Sequence, residues 1–396
     1  MPTAKPAAAC DMTKNTPPDS LPFLPYGSQV IAEDDLAAVE AALRSAWLTT
    51  GPQVNTFEEA VADYAGARHG VAVSSGTAAL HAAMAAIGVG PGDEVIVPAM
   101  TFAATANAVI YQGGTPIFAD VESDTLLLDP ESVAARITNK TKAVVAVDYA
   151  GHPCGYEALK AITDHHGVRL VADACHSLGA AYHGRPVGTL ADCTIFSFHP
   201  VKHITTGEGG MVVTDDPDLA LRMRRFRNHG ISTDHRQREA QGTWQYAMVE
   251  LGFNYRITDF QCALGSSQLA KLPAFLARRR QLARLYTQAL APLATLAPLS
   301  VRPQVNPAWH LYVVRLLGEN PREIIFQGLR ERGIGVNVHY LPVYWHPFYQ
   351  QRFGYPKGLC PVAEAAYETI LSLPLWPGMT DDQVERVTQE IGRLLR

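Results

Sequence analysis

The sequence lacks two features that would each indicate a class of partner. Among its 396 residues, 33 lysines and arginines stand against 38 aspartates and glutamates, which gives a net charge of -5 and a pI of about 6.3. A chain without a basic excess has no electrostatic footprint for nucleic acid. No apolar run approaches the roughly 20 residues that a membrane-spanning helix needs. We therefore expect neither a nucleic-acid nor a membrane partner.

Cysteine is scarce and shows no close pairing. The six cysteines, at positions 10, 154, 175, 193, 262 and 360, form no C-x-x-C motif, and the N-terminus has no apolar core of a secretory signal. The simplest expectation is a cytoplasmic protein. Neither His165-His166 nor Cys175-His176 has the spacing of zinc ligands, so we predict no metal site.

The composition is that of a folded chain with several structural units. Hydrophobic residues make up 47% and charged residues 18% of the sequence, which is ordinary for a protein with a large core. Residues 1–20 are rich in proline, alanine and small polar residues, and we expect this extension to be disordered. The remainder is predicted to form a large domain at 21–290, with its N-terminal segment at 21–55, and a small C-terminal domain at 291–396.

Short apolar segments alternate with helical patterns along the large unit. Strands are predicted at 69–75, 93–99, 115–121, 142–151, 168–174, 192–199 and 209–215, and helices at 56–67, 77–88, 101–113 and 156–167. Strands that are apolar on both faces and alternate with helices predict an α/β fold with a mostly parallel sheet between helices.

The later part of the chain has a different pattern. Residues 258–293 predict two long helices separated near Pro273. The smaller unit is predicted to be α+β, with strands at 310–316 and 335–342 and helices at 321–333 and 380–395.

The first predicted strand ends at Ser74 and Ser75, and Gly76 and Thr77 begin the helix that follows. Free N–H groups and the dipole at a helix N-terminus favour an anion, above all phosphate. A serine or threonine at this place could equally cap the helix with nothing bound. The segment contains neither GxxxxGK nor GxGxxG, so it matches neither of the common nucleotide motifs.

Two further strand ends carry ionisable side chains. Asp173 ends one strand, with His176 three residues later, and Lys202 lies in the connection between the next two strands, five residues after Ser197. Taken alone, the carboxylate could cap a turn and the lysine could be exposed in a loop. Ligands of such sheets bind outside the carboxyl ends of the strands, so we expect both side chains at the same edge as the Gly76 turn.

Together, the three strand ends supply the groups that pyridoxal 5'-phosphate requires. Its phosphate needs N–H and hydroxyl donors, its ring nitrogen needs an acid that keeps it protonated, and its aldehyde needs a lysine for a Schiff base. The residues therefore predict this cofactor, bound covalently to Lys202.

From about Leu24 to the C-terminus, the chain also resembles a known family, the sugar aminotransferases of the DegT/DnrJ/EryC1/StrS type. The resemblance rests on seven motifs that occur in the family's order: WLTTGPQVNTFE, SSGTAALHAAM, PAMTFAATANAV, VADACHSLGA, SFHPVKHITTGEGG, LGFNYRITDFQCALGSSQL and HYLPVY. It implies the aspartate-aminotransferase-like fold, fold type I, with a large domain and a smaller C-terminal α+β domain.

The resemblance assigns a role to each of the strand-end residues. It makes Lys202 the lysine that binds the cofactor and moves the proton between substrate and cofactor. It makes Asp173 the partner of the ring nitrogen, and it places Gly76, Thr77 and Ser197 around the phosphate.

Three further cofactor contacts follow from the resemblance. Phe102 would stack on the ring and His176 would lie near the ring hydroxyl, although helix-start packing and a structural hydrogen bond are open alternatives. Asn254 would reach the phosphate of the neighbouring subunit, which implies a homodimer with shared active sites. Its alternative role is that of a turn residue.

The resemblance also makes four residues candidates for contact with the nucleotide sugar: Thr50, Arg256, His339 and Tyr340. Arg256 could instead pair with acids on the following helix. His339 and Tyr340 end a predicted strand and could equally belong to packing of the small domain.

Two segments, SFHPVKHITTGEGG and VHYLPVYWHPFY, are most similar to family members of pseudaminic acid biosynthesis. They imply transfer of an amino group from L-glutamate to C4 of a UDP-linked 4-keto-6-deoxy-N-acetylhexosamine. The alternatives are a D-configured, bacillosamine-type sugar or a dTDP-linked 4-keto sugar. The dehydratases of the family carry histidine in place of the lysine and are disfavoured, and a non-catalytic sensor would not need all of these residues.

Overall fold

Helices and strands alternate along most of the chain. The computed structural model describes residues 22–233, 235–240, 242–318 and 322–395. The predicted N-terminal extension, residues 1–20, therefore lies outside the described residues. The helices are α1 (Glu33–Leu43), α2 (Pro52–Ala65), α3 (Gly76–Ala86), α4 (Ala103–Tyr111), α5 (Pro130–Ala134), α6 (Tyr156–His166), α7 (Pro217–Phe226), α8 (His235–Ala240), α9 (Asp259–Leu290), α10 (Arg322–Glu331), α11 (Pro347–Phe353), α12 (Pro361–Thr369) and α13 (Asp381–Leu394).

Within the described residues, the strands form one large sheet and two small ones. They are β1 (His69–Val73), β2 (Glu94–Pro98), β3 (Thr115–Ala119), β4 (Thr141–Val147), β5 (Arg169–Asp173), β6 (Ala181–Tyr182), β7 (Arg185–Pro186), β8 (Cys193–Ser197), β9 (Gly210–Thr214), β10 (Leu296–Pro298), β11 (Val305–Asn306), β12 (Tyr312–Leu316) and β13 (Ile370–Leu373). The large sheet has seven strands in the order β1-β9-β8-β5-β4-β2-β3. Strand β9 pairs antiparallel with both β1 and β8, whereas the other neighbours pair in parallel. The predicted α/β class with a mostly parallel sheet is confirmed.

Helices cover the sheet closely because their sequences are rich in small apolar residues. Helix α3 is built largely of alanine and is buried along almost its whole length, since it packs against α4, α7 and strand β9. The strands themselves are buried on both faces, as their unbroken apolar sequences require.

The topology brings three connections to one edge of the sheet. Strands β1, β5 and β8 run in the same direction, so the residues that follow Val73, Asp173 and Ser197 all leave the sheet at its carboxyl edge. The predicted strands on both sides of Lys202 are present as β8 and β9, and their connection carries the lysine. This edge therefore holds the candidate site.

A second apolar cluster lies around the C-terminal sheet β10-β12-β13. It includes Leu282 and Tyr286 from α9, Tyr312 from β12, Leu329 from α10 and Ile391 from α13. Helix α9 thus contributes both to this cluster and to the main core around the large sheet. In the described part of the chain, no helix has both the length and the apolar character of a membrane span.

The predicted break near Pro273 is wrong, because α9 continues from Asp259 to Leu290 with the proline inside it. An interior proline removes one backbone hydrogen bond. Burial offsets that loss: Leu269, Leu272 and Leu276 all lie in the core. Tertiary packing therefore overrides the local preference.

The predicted strand at 335–342 is also wrong, and His339 and Tyr340 do not end a strand. Within the segment, Asn337 forms an isolated bridge with Ser372, and the N–H of Gly335 donates to the carbonyl of Leu24 at 2.7 Å. Two further backbone groups bond to side chains: the Asn337 side chain accepts from the N–H of Val338 at 2.8 Å, and the Tyr149 hydroxyl donates to the carbonyl of His339. Isolated backbone bonds and side-chain partners thus take the place of a continuous ladder with a neighbouring strand.

Candidate active site

A cavity of about 530 Å³ opens at the carboxyl edge of the large sheet. It brings together nine of the predicted site residues: Gly76, Thr77, Phe102, Asp173, His176, Ser197, Lys202, His339 and Tyr340. Their roles stay predictions, but their convergence is a property of the fold.

One end of the cavity is a cradle of backbone N–H groups. Ser75 caps α3, and its Oγ accepts from the N–H of Ala78 at 3.0 Å. The first N–H groups of a helix have no acceptor within the helix, so those of Gly76 and Thr77 can serve a ligand. A Cβ at Gly76 would lie 3.0 Å from Ser197 Cβ and 3.4 Å from Cys175 Sγ. Glycine therefore keeps the cradle open.

Asp173 is buried at the end of β5, and one of its oxygens is well bonded. Oδ2 accepts from Thr105 Oγ1 at 2.7 Å, and Thr105 lies 2.8 Å from Thr101 Oγ1. Oδ1 makes a long contact of 3.3 Å with the N–H of Cys175. This second oxygen is available to accept a hydrogen bond from a protonated ring nitrogen.

Lys202 lies in a tight turn whose backbone is fixed by its neighbours. Its N–H donates to the carbonyl of His199 at 2.9 Å, and the carbonyl of Phe198 accepts from Thr205 Oγ1 at 3.1 Å and from Thr206 N–H at 3.0 Å. The threonines of the motif thus hold the loop that carries the lysine.

The surroundings of Lys202 favour the neutral form of its amine, which is the nucleophilic form. Its pKa is lowered from the ordinary value, first because burial removes hydration from the ammonium and also because of the charge of Arg279. The nearby Cys175 and Asp173 act in the opposite direction. A lowered pKa raises the fraction of free amine at neutral pH.

Aromatic and imidazole rings line the rest of the cavity. His176 Nε2 lies 3.2 Å from the hydroxyl of Tyr340, whereas its Nδ1 is buried and has no partner within the described residues. The side chain of Phe102 is exposed at the mouth of the cavity, with its ring centroid 6.1 Å from that of Tyr340. His339 is bound elsewhere, since its Nδ1 lies 2.8 Å from Ser372 Oγ.

Three predicted site residues lie apart from this cavity. Thr50 and Arg256 line a second cavity of about 160 Å³, where Arg256 Nη1 donates to Asn228 Oδ1 at 2.8 Å. Asn254 is exposed on the surface. A single chain therefore holds the two groups of predicted residues at separate places.

Sequence reasoning missed several residues of the cavity: Tyr26, Thr101, Thr105, His199, His310 and Asn337. Tyr26 and His310 come from distant parts of the chain and had no motif to mark them. The two threonines had a signal, because hydroxyls spaced four apart at the start of a helix share one face.

The donor set fits the predicted cofactor. The cradle at α3 suits a phosphate, Asp173 has an oxygen left for a ring nitrogen, and Lys202 supplies the primary amine that a Schiff base requires. The unpartnered Nδ1 of His176 can bond to a further polar group of a ligand. The residues that line the cavity therefore fit each polar part of pyridoxal 5'-phosphate.

Buried histidines make the stability of this fold sensitive to acid. Six histidines of the described part of the chain have pKa values below the ordinary 6.5, mainly because burial removes hydration from the imidazolium: His81 and His152 at about 4, His339 at about 3, and His176, His203 and His310 well below 6.5. The unfolded chain then binds more protons than the folded chain, so the free energy of unfolding falls as the pH drops below about 6.5. Asp148, whose pKa burial raises to about 7, opposes this trend with one group.

Chemical denaturation between pH 5 and pH 8 measures this slope. For one histidine it approaches about 1.4 kcal/mol per pH unit between the unfolded and folded pKa values. His81→Gln should flatten the dependence by the share of one histidine, whereas His166→Gln, at an exposed position, should leave it unchanged. A free energy of unfolding that stays constant or rises towards pH 5 would contradict the prediction.

Known proteins share both the sequence and the fold of this chain. The DegT/DnrJ/EryC1/StrS aminotransferase family matches residues 29–392. The spore coat polysaccharide biosynthesis protein SpsC of Bacillus subtilis is 40% identical over 94% of this chain and 97% of its own length.

Two solved structures are similar over nearly the whole fold. Spr1654 of Streptococcus pneumoniae, solved in PLP and PMP forms, is 32% identical in the PMP form, with a TM-score of 0.90 over 94% of this chain and 99% of that one. Helicobacter pylori PseC, an aminotransferase of the biosynthesis of pseudoaminic acid, is 31% identical, with a TM-score of 0.89 over 94% and 98% of the two chains. With this fold-type I architecture, the chain belongs to the DegT/DnrJ/EryC1/StrS family of sugar aminotransferases, which use pyridoxal 5'-phosphate.

Proposed function

We propose that the enzyme transfers the amino group of L-glutamate to C4 of UDP-2-acetamido-2,6-dideoxy-β-L-arabino-hex-4-ulose. The product would be UDP-4-amino-4,6-dideoxy-N-acetyl-β-L-altrosamine, an intermediate of pseudaminic acid biosynthesis. The proposal of an aminotransferase rests above all on the convergence of Lys202, Asp173 and the Gly76 turn on one cavity. The similarity to PseC supports the choice of sugar.

The residues of the cavity divide the work of the reaction. The bound cofactor supplies an electrophilic carbon and a ring that accepts the electron pair of a broken C–H bond. Lys202, as a free amine, takes the proton from Cα of glutamate and later returns one to C4 of the sugar. Asp173 holds a proton at the ring nitrogen, which lowers the energy of the negative charge that develops.

The other residues position and shield these groups. Gly76, Thr77 and Ser197 would bind the phosphate, which fixes the ring relative to Lys202. Phe102, on the open side of the cavity, would cover one face of the ring and keep water from it. His176 would hold the ring hydroxyl through the nitrogen that has no partner among the described residues.

Exposed apolar side chains support a homodimer with shared active sites. The surface strip formed by Trp244, Tyr246, Met248 and Leu251 precedes Asn254, and each of these four side chains is more than half exposed. An apolar strip of this kind marks an interaction surface. We infer that a second copy packs on this strip and that Asn254, together with Arg256 and Thr50, contributes to the partner's cavity.

Mixed dimers test the shared sites. Lys202→Ala and Arg256→Ala should each inactivate a homodimer. After subunit exchange, a heterodimer has one site with both changes and one intact site, so the mixture should regain about a quarter of the parent activity. A mixture of Lys202→Ala with Asp173→Ala is the matched control. Both changes lie in the same cavity, so it should regain none, and equal recovery in both mixtures would refute sharing.

The sugar is tested with isolated half-reactions. After glutamate has converted the enzyme to its amine form and has been removed, the two C5-epimeric UDP-4-keto-6-deoxy-N-acetylhexosamines and a dTDP-4-keto-6-deoxy sugar are added separately. We expect the visible cofactor band to return with the L-arabino epimer alone. If the band returns only with the D-xylo epimer or only with the dTDP sugar, the enzyme is still an aminotransferase, but its assignment to pseudaminic acid biosynthesis is wrong.

We also propose a reducing, cytoplasmic setting for this reaction. The five described cysteines are all free, and four of them are buried. Free thiols of this kind are typical of a compartment where disulfides do not persist.

A further inference from the structure

The second cavity, of about 160 Å³, is rich in positive charge. Four arginines line it, Arg224, Arg225, Arg227 and Arg256, and no aspartate or glutamate of the described residues does. We call it the arginine cavity. Three of these arginines lie at or just beyond the C-terminal end of α7, where positive charge complements the helix dipole. That position alone could explain them, so the partners of each side chain decide whether a binding role remains.

Two of the four arginines are paired within the chain. Arg227 Nη1 donates to Glu58 and, at 2.6 Å, to the carbonyl of Ala72. Arg224 Nη2 donates to the carbonyl of Gly70 at 2.9 Å and lies 3.8 Å from Glu58 Oε2. These contacts join α7 to α2 and β1. A structural role therefore accounts for Arg224 and Arg227.

The other two arginines have no acidic partner among the described residues. Arg256 Nη1 donates to Asn228 Oδ1, which is neutral, at 2.8 Å. Arg225 Nε is buried and has no hydrogen-bond partner in the described part of the chain, which is costly for a charged donor. Asp259, beside this cavity, already accepts from two backbone N–H groups at the start of α2. The arginine cavity thus has positive charge and hydrogen-bond donors left for an anion.

The large cavity at the carboxyl edge of the sheet has the opposite pattern of charge. Among the described residues that line it, Lys202 is the one lysine or arginine, whereas Asp173 and Glu208 are both acids. Its histidines and tyrosines add hydrogen-bonding groups but no permanent positive charge. Yet both substrates of the proposed function are anions, since glutamate brings two carboxylates and the nucleotide sugar a diphosphate. The residues of this cavity leave that charge without a cationic partner.

The two substrates must occupy the same space in turn. Each reacts at the same part of the bound cofactor, because the amino group that glutamate leaves is the one that the sugar receives. In glutamate the side-chain carboxylate lies a few bonds from the reacting carbon, and in the nucleotide sugar the diphosphate lies a few bonds from C4. One cationic subsite at the edge of the active site can therefore serve both anions.

We propose that the arginine cavity is this oxyanion subsite, shared by both substrates, with Arg225 and Arg256 as its binding residues. A guanidinium group binds a carboxylate or a phosphate through a fork of N–H donors, and the Nε of Arg225 is such a donor without a partner among the described residues. The subsite serves the active site of the neighbouring subunit, so the inference rests on the shared sites of the proposed function.

Two unreactive anions test the subsite without turnover. Glutarate is the dicarboxylate without the amino group, and inorganic pyrophosphate is the diphosphate without nucleoside and sugar. Each is titrated by calorimetry into the cofactor-loaded dimer, in which the cofactor phosphate occupies the cradle at α3. We expect each probe to bind and to exclude the other. Arg225→Met should weaken both by about tenfold or more, as expected for the loss of a charge-assisted hydrogen bond.

A matched variant separates local from general charge effects. Arg222→Met removes an exposed arginine of α7 that is not among the residues lining the arginine cavity, and it should leave both affinities unchanged. Arg225→Gln repeats the test with a polar side chain, in case the methionine variant does not fold. If neither variant folds, Arg225 is structural and the proposal is wrong. Unchanged affinity for either probe, simultaneous binding of both, or no binding by the parent would also overturn it.

The half-reactions extend the test to the substrates themselves. Arg225→Met should raise the concentration of glutamate and that of the nucleotide sugar needed for half-maximal rate, more than it lowers either limiting rate. An increase for one substrate alone refutes the shared subsite.

Failure of this proposal is distinct from failure of the proposed function. Inorganic pyrophosphate carries no sugar, so a wrong choice of sugar leaves the binding result unchanged. If the mixed dimers of Lys202→Ala and Arg256→Ala regain activity but Arg225→Met binds both probes normally, the sites are shared and the subsite is wrong. If those dimers regain none while Arg225→Met weakens both probes, the subsite stands and the sharing of sites is wrong.

Discussion

Lys202→Ala is expected to reduce turnover by at least about four orders of magnitude. A side chain that acts both as nucleophile and as proton carrier contributes to each half of the reaction, so its loss is not compensated by the groups that remain. In the described part of the cavity, Lys202 is the side chain that supplies a primary amine. The cradle at α3 and Asp173 remain in the variant, so it should still bind the cofactor without a covalent bond.

Steady-state assays with glutamate and the keto sugar measure this loss, and the absorption spectrum reports whether the cofactor is covalently attached. Lys202→Arg keeps a positive charge without a free amine and should be equally inactive. The matched control is Lys142→Ala, which removes an exposed lysine from β4 and should retain parent activity. Normal turnover by Lys202→Ala would refute the assignment of the lysine.

The sequence predicted the central part of the site because local rules are sufficient there. Apolar strands with helices between them require a mostly parallel sheet, and a parallel sheet gathers the residues at its carboxyl edge. The positions of Gly76, Asp173, Ser197 and Lys202 follow from that rule once their strands are identified. The structure places all four on one cavity.

The remaining residues of the cavity could not be predicted from local sequence patterns, because their contacts join distant parts of the chain. Tyr26 precedes the strands of the large sheet in the sequence and His310 follows them, and no periodicity marks either residue. Arg279 looks like one of a run of surface arginines, yet its side chain is buried. Residues 335–342 alternate like a strand, but their backbone bonds to isolated backbone and side-chain partners from distant segments, which the sequence does not reveal.

Asp173→Asn should lower kcat by about a thousandfold, which is the order expected when a group that stabilises developing charge is lost. An amide cannot keep a proton at the ring nitrogen by charge, so the ring accepts the electron pair less readily. The shape of the side chain is nearly unchanged, and the bond between Oδ2 and Thr105 can persist with the amide oxygen. Asp164→Asn, at an exposed position on α6, is the matched control and should keep the parent rate.

The two half-reactions make this prediction specific to the ring. Both the removal of a proton from glutamate and its return to the sugar need the electron pair to be held by the same ring. Rapid mixing with each substrate separately should therefore show similar losses in Asp173→Asn. A residue that contacts the sugar alone would slow only the second half. If Asp173→Asn slows only that half, its carboxylate acts on the substrate and the assignment to the ring nitrogen is wrong.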